Sequence, residues 1–296
     1  MPNEISSAFR ADPTRTLMLR RKYSAALYKR FRKLKGDIRT SLVTNDAFGL
    51  RVNIPLSARQ FVFQRDPEKV ESFLIWLQKQ VDDGILEAYF GNQLGSPIEN
   101  SWANIYIRQA YEKGVNRAQV EMKTAGYLIP ETASVATAMQ VPFHIDRVGL
   151  LYTRNFTSLK GITDEMSKQI SIVLAEGMAT GKGPVEIANI INDRVDKIGI
   201  TRARTLARTE VIRSHHMGMV QEMRNWGVVG VKVLAEWVTA GDGRVCSLCK
   251  PLDGKVFTLD KVEFMLPKHP QCRCIIIPLD VTDNEKLKRK IEKQAA

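Results

Sequence analysis

The chain has 296 residues and a mass of 33.4 kDa, with 44% hydrophobic and 26% charged residues, an ordinary globular balance. That length allows one large core or two to three modest domains, and no run of about eighteen apolar residues marks a membrane span. Four cysteines exclude a disulfide scaffold, and the N-terminus lacks an apolar signal core, so a cytosolic origin is expected.

The formal net charge of +12 is unevenly placed. Residues 1–40 hold eleven Lys/Arg against three acids, whereas residues 41–199 hold sixteen against eighteen. An excess confined to one arm reads as a contact surface for phosphate backbone or for an acidic protein face.

In chain order, a helix is expected after Pro13-Thr14. Tyr23, Leu27, Phe31, Leu34 and Ile38 form one apolar stripe, with Gly36 weakening the last turn. Arg15, Arg20, Arg21, Lys22, Lys29, Arg30, Arg32, Lys33, Lys35 and Arg39 surround it. They read either as a solvated face or as a docking arm for a larger assembly or nucleic acid. The segment 52–66 alternates loosely and suggests a short strand. Asp66-Pro67 is a helix start, followed by the stripe Val70, Phe73, Leu74, Leu77 and Val81 until Asp83-Gly84.

A helix over about 102–122 is expected to bury Ile105, Ala110 and Tyr111. Residues 123–142 read as the main linker. Helical periodicity resumes at Thr163 and breaks at "GMATGKGP", residues 177–184. That run lacks P-loop spacing, so Lys182 sits in a helix–helix turn rather than a nucleotide site. Helices to about Val195 and from Thr201 to Met223 follow. His144 is expected at the surface or hydrogen-bonded. After Trp226-Gly227 the pattern turns β-branched, with Val231, Val233 and Trp237 on related faces and turns at 241–243 and 253–254.

All four cysteines fall in this last part. Cys246 and Cys249 have knuckle spacing, and Cys272 and Cys274 follow with His269 nearby. Five candidate ligands for a four-coordinate ion suit structural zinc, since thiolate and imidazole satisfy its tetrahedral preference. Either Cys246, Cys249 and His269 join one of Cys272 and Cys274, or all four cysteines bind. An extended Cys-Arg-Cys is expected to part its two thiols, which favours the mixed set. Disulfides between the pairs, or free core cysteines, are the alternatives; a thioredoxin-like redox role lacks its strand-to-helix setting.

The blocks "LARTEVIRSHHMG" at 206–218, "EWVTAGDGRVCSLCKPLDGKVF" at 236–257 and "HPQCRC" at 269–274 resemble the Mu F-like domain of tailed-bacteriophage head morphogenesis proteins. The likeness is strongest over about 163–278, and "DPTRTLMLRRKYSAALYKRF" is similar to the opening of many such proteins. Family-typical positions are Arg208, Thr209, Glu210, Trp237, Asp242, Arg244, Cys246, Cys249, Asp253, Gly254, His269, Pro270, Cys272, Arg273 and Cys274. The resemblance implies a minor capsid protein of the head interior or portal vertex, made in the host cytoplasm and not held in a membrane once assembled. It also implies portal, major capsid or scaffold partners, with packaged double-stranded DNA a further candidate.

No catalytic residue travels with the likeness, so no enzyme is expected, and Glu210 reads as a structural group that orients an arginine or caps the small module. The expected fold is mostly α with a small C-terminal α+β module clamped by zinc or disulfides. Its expected divisions are a basic arm (1–42), a helical body (43–140), a second helical region (141–225), the Cys/His module (226–280) and a charged tail (281–296).

Overall fold

The computed structural model describes residues 12–47, 67–86, 101–129, 133–226 and 233–279, with side chains in the second stretch from 70 onward. The expected strand in 52–66, the Asp66 cap, Val231 and the tail 281–296 lie outside the described residues. Among the described residues seven α-helices lead in chain order: α1 (Leu17–Arg39), α2 (Pro67–Val81), α3 (Asn104–Thr124), α4 (Val135–Ala138), α5 (Pro142–Ala179), α6 (Pro184–Arg194) and α7 (Thr201–Trp226). Three strands and a short helix follow: β1 (Leu234–Val238), β2 (Val256–Thr258), α8 (Leu259–Val262) and β3 (Ile275–Pro278). The chain is mostly helical with a small C-terminal sheet, as its periodicities predict.

Contacts divide the chain into two compact units. One comprises Ser24–Trp102 and Phe156–Leu206, the other Met1–Tyr23, Ala103–Asn155 and Ala207–Ala296. In the first unit Leu27, Phe31, Leu34 and Ile38 are at most 2% exposed, so that part of the α1 stripe is core. A Cβ on Gly199 would meet the Phe31 ring at 2.6 Å, so the chain passes that ring at closest approach. Gly177 packs likewise against Ile187, and the 177–184 break is a turn in which Lys182 pairs with Glu186 at 2.5 Å.

In the second unit α7 is the central element. From Glu210 to Met223 every residue except half-buried Arg213 is buried, although the segment includes Glu210, Ser214, His215, His216, Gln221 and Glu222. A helix buried on all sides must satisfy its polar groups internally. Gly114 of α3 and Gly218 of α7 let the two backbones cross closely. A Cβ on Gly114 would meet the His215 carbonyl oxygen at 2.0 Å, and one on Gly218 the Tyr111 carbonyl oxygen at 2.3 Å.

The sheet has β1 at its centre, antiparallel to β2 and β3, with Glu236 opposite Val256 and Trp237 opposite Ile276. Ala235 and Trp237 point to the buried face, where they join Met122 of α3, Met219, Val220 and Met223 of α7, and the cysteines. The module therefore does not depend on its own few apolar residues; two long helices complete its core.

Two expectations are corrected here. Ile105 is 55% exposed, while Ala110 and Tyr111 are buried as expected. The helix placed from Thr163 already starts at Pro142, and the supposed linker contains α4, capped by Ser134 and Thr137. The first half of α5 buries His144 and Asn155 among its apolar residues, which blurs the periodicity there.

Candidate metal centre and the polar groups around it

The Cys/His cluster is built on the end of β1. The Asp253 carboxylate accepts the Thr239 N–H at 2.7 Å, and the Gly254 N–H donates to the Trp237 carbonyl at 2.8 Å. Gly254 holds φ +73°, a conformation glycine adopts without a Cβ penalty. These bonds fold the 246–253 segment back onto the strand, and the Cys249 and Lys250 N–H groups both donate to the Cys246 carbonyl. The motif residues Trp237, Asp253 and Gly254 thus hold up the first pair of ligands.

The second group comes from the stretch before β3. His269 Nδ1 donates to the Pro270 carbonyl at 2.7 Å, leaving Nε2 to face Cys246 Sγ at 3.1 Å and Cys249 Sγ at 3.3 Å. A ring nitrogen fixed this way presents its lone pair to a metal. Cys249 Sγ also lies 3.9 Å from Cys272 Sγ. Two groups of ligand atoms each fit within 4.8 Å: Cys246, Cys249 and His269, and Cys249, Cys272 and Cys274. Cys249 belongs to both. This donor set, sulfur with one imidazole, can hold a metal ion.

The expectation that the Cys-Arg-Cys run would part its thiols is overturned. Residues i and i+2 of extended backbone share a face, and Cys272 and Cys274 are both buried beside Cys249 while Arg273 turns away to Asp242. Burial pushes the Cys249 thiol up to about 12, whereas a hydrogen bond from Cys274 pulls Cys272 down to about 5. Cys274 is raised in turn, chiefly because its hydrogen is given to Cys272. The four cysteines are unlinked.

Arg273 meets Asp242 through both terminal nitrogens, at 2.7 and 2.5 Å. Arg244 reaches the same carboxylate at 3.0 Å and also donates its backbone N–H. The Arg273 guanidinium holds the Asp242 carboxyl well below the usual carboxylate range. Arg208 on α7 donates to Gln271 Oε1 at 3.3 Å, and Thr209 beside it is half-buried. Glu210 is 3% exposed, 3.3 Å from Arg154 and 3.7 Å from Arg213, so it engages arginines as expected, though not Arg208. Burial raises its carboxyl, and Arg154 and Arg213 act the other way.

A second polar system was not expected from the sequence. Glu222, fully buried, accepts from Gln119 at 2.7 Å, from Trp226 at 2.5 Å and from His144 Nε2 at 3.1 Å. The Tyr111 hydroxyl lies 2.7 Å from His144 Nδ1, so His144 is fully hydrogen-bonded and wholly interior. Glu263 takes Arg147 at 3.0 Å and Arg224 at 2.7 Å, and His216 Nε2 donates to the Val262 and Glu263 carbonyls at 3.0 and 3.1 Å. His144, Arg147 and Arg154 recur at near-helical spacing along α5, each meeting a buried glutamate. That spacing was the available signal; the partners lie too far along the chain to be paired by eye.

The ten cations of the N-terminal arm do not gather into one site. Arg20 is 6% exposed and bound to Asp12 at 2.6 Å. Arg30 lies over the Trp102 ring, Lys35 pairs with Asp196, and Arg39 donates to Asn189. Among the described residues Lys33 makes only the exposed pair with Asp37. Arg15 is exposed at φ +52°, and Arg21, Lys22, Lys29 and Arg32 are exposed on α1.

A helical protein whose C-terminal sheet carries a Cys/His cluster is the class that fold and site define. Residues 168–277, from α5 to β3, match the family described as Phage Mu protein F like protein. That stretch is a domain like that family's, consistent with a tailed-phage minor head or head-morphogenesis protein, as its motifs implied. Comparison with curated proteins and with solved structures finds no match. Among the described residues no helix is long and apolar enough to cross a membrane.

Proposed function

We propose that this protein docks at or near the portal vertex of a phage head and assists procapsid assembly or DNA packaging and delivery. The family match over residues 168–277, which includes the whole Cys/His cluster, carries this reading. Its mechanism is binding rather than turnover: Glu210 is engaged by Arg154 and Arg213, His216 donates to the Val262 and Glu263 carbonyls, and His215 is buried in α7. The purified chain is expected to co-sediment with portal or procapsids under assembly conditions, and its absence from the pellet would remove the docking role. A turnover that Glu210→Gln abolishes without unfolding the chain would overturn the binding mechanism.

The cluster holds structural zinc through Cys246, Cys249, His269 and Cys272. The 3.9 Å between the Cys249 and Cys272 sulfurs fits two thiolates on one ion, a pair that the four-cysteine set also contains, since zinc–sulfur bonds of about 2.3 Å place tetrahedral sulfurs about 3.8 Å apart. Four protein ligands leave no position for reactive water, so the ion's role is to fix the loops. A folded, assembly-competent protein with no bound metal and unlinked sulfurs would end the zinc assignment. A second reading, contact with packaged DNA, is favoured by the exposed cations of α1.

A further inference from the structure

The set Cys246, Cys249, His269 and Cys272 leaves one of the five donors over, the Cys274 thiol. Its sulfur is close to two others. Cys249, Cys272 and Cys274 have their sulfurs within 4.8 Å of one another, and Cys249 also belongs to the group with Cys246 and His269. A disulfide holds its sulfurs at about 2.0 Å, and rotation about the Cα–Cβ bonds is the motion available to close that gap.

A cleft of about 240 Å³ opens onto the cluster. Cys246, Cys249, His269 and Cys274 line it, whereas Cys272 lies outside its walls. Of the three neighbouring sulfur residues, Cys249 and Cys274 are therefore the two that a solute entering the cleft meets. Both are at most 4% exposed, so that solute must be small. Hydrogen peroxide, little larger than water, meets the limit; a bulky disulfide reagent does not.

We propose that Cys249 and Cys274 are a peroxide-reactive pair, whose disulfide takes over the clamp of the module from the ion. The inference rests on the zinc set Cys246, Cys249, His269 and Cys272, and not on the head-protein reading. The Cys249 thiolate attacks one peroxide oxygen, the O–O bond breaks, and the departing hydroxide takes a proton from solvent; Cys249 is then a sulfenic acid. The Cys274 sulfur attacks the Cys249 sulfur, the S–O bond breaks, and the Cys274 proton leaves with the hydroxyl as water. Together the two sulfurs lose two electrons, and one peroxide becomes two waters. Cys246 is the rival partner in the cleft. It is itself a ligand and must give up its bond to the ion, whereas Cys274 has none to give up. Withdrawing Cys249 removes the sulfur common to both ligand groups, so the ion leaves. The new bond still ties the CxxC turn to the residue that precedes β3. The module thus keeps a cross-link in reducing and in oxidising surroundings.

The test is peptide mapping of the full-length protein, prepared reduced and with its metal content measured, after equimolar hydrogen peroxide and alkylation of the remaining thiols. Trypsin cuts after Arg273 and so separates Cys272 from Cys274, while Cys246 and Cys249 stay on one peptide because Pro251 follows Lys250. A Cys249–Cys274 link located by fragmentation is expected, with metal released in step and both changes reversed by dithiothreitol and zinc. No link, or a Cys246–Cys249 link in its place, overturns the pair. A chain without metal before peroxide ends the zinc reading instead, and the same peptide map then decides the pair by itself. Cys274→Ser should lose its metal to excess peroxide for good, since an unresolved Cys249 sulfenic acid proceeds to the sulfinic acid; full recovery in that variant also overturns the pair. The oxidised natural chain should melt above the reduced chain stripped by chelator, because the cross-link restricts the unfolded state. Equal melting temperatures would refute the transfer of the clamp.

Discussion

Cys249 is the sulfur on which both groups of metal-ligand atoms converge, and it is 2% exposed. Its replacement therefore removes the link between the CxxC turn and the loop before β3. We expect Cys249→Ser and Cys272→Ser to lose bound metal and to lower the melting temperature, while Cys274→Ser, whose thiol donates to Cys272, retains about one metal per chain. Metal-to-protein ratios by elemental analysis distinguish these outcomes, and metal loss in Cys274→Ser would point to the four-cysteine set. The five candidate ligands were legible from spacing alone. The partition among them was not, because it depends on how the 269–274 backbone folds back toward Cys249. The two adjacent histidines give a pH prediction. Burial lowers His215 to about 3, with His216 and Arg117 adding to it and Asp12 opposing, and it lowers His216 to about 4 against the two carbonyls it serves, with Arg213 adding. A depressed folded value means the unfolded chain takes up protons first. Their contribution is full above the unfolded value near 6.5 and is lost as pH falls toward about 4, by at most roughly 1.4 kcal/mol per pH unit per histidine. Thermal melts between pH 7 and 5 should show that loss, and His215→Gln should flatten it.

At the level of elements, the crossing of α3 and α7 decides whether the second unit can close. Each helix presents a glycine whose missing Cβ leaves room for the other backbone, at 2.0 and 2.3 Å from a carbonyl oxygen. Backbone cannot give way as a flexible side chain can, so Gly114→Ala and Gly218→Ala should each destabilise the protein by about 3 kcal/mol or more. Gly36 on α1 is the contrast: nothing lies within 4 Å of its would-be Cβ. Gly36→Ala should stabilise by about 0.5–1 kcal/mol through helix propensity. Chemical denaturation of the three variants separates the two cases, and a harmless Gly218→Ala would mean the helices cross elsewhere. The sequence pattern marked α1 and α2 well because their apolar residues repeat along one face. It marked the start of α5 poorly because His144, Arg147 and Arg154 meet Glu222, Glu263 and Glu210 instead of apolar partners. A buried seam written in charges carries no hydrophobic period, so only its helical spacing was visible. Such pairs specify alignment more than they add stability, and Glu222→Gln, which keeps an acceptor oxygen for these donors, is expected to cost less than Glu222→Ala, which leaves Gln119, Trp226 and His144 without one.

For the whole molecule the question is how much of the net +12 is free to meet a partner. The sequence placed ten cations on the N-terminal arm, but the fold spends several of them internally. Arg20 serves Asp12, Arg30 covers Trp102, Lys35 pairs with Asp196, and Arg39 bonds Asn189. Composition cannot reveal this, because the partners of Arg30, Lys35 and Arg39 lie more than fifty residues away. Arg21, Lys22, Lys29 and Arg32 are exposed, within about 100° of one another around the helix axis. If these four meet phosphate backbone, the logarithm of the binding constant should fall with the logarithm of salt at a slope of roughly −3.6, a loss on the order of a hundredfold between 50 and 200 mM. Replacing all four with Gln should remove most of that slope, whereas Lys35→Gln with Arg39→Gln, the same change of charge per residue at internally engaged positions, should leave it nearly intact. Titration of double-stranded DNA against the three proteins separates local contact from net charge: equal effects per charge in both variants would mean that only the overall field acts. Capture on portal or procapsids, followed in parallel, reports whether the same four cations face protein instead. Loss of that capture with unaltered DNA binding would assign α1 to docking.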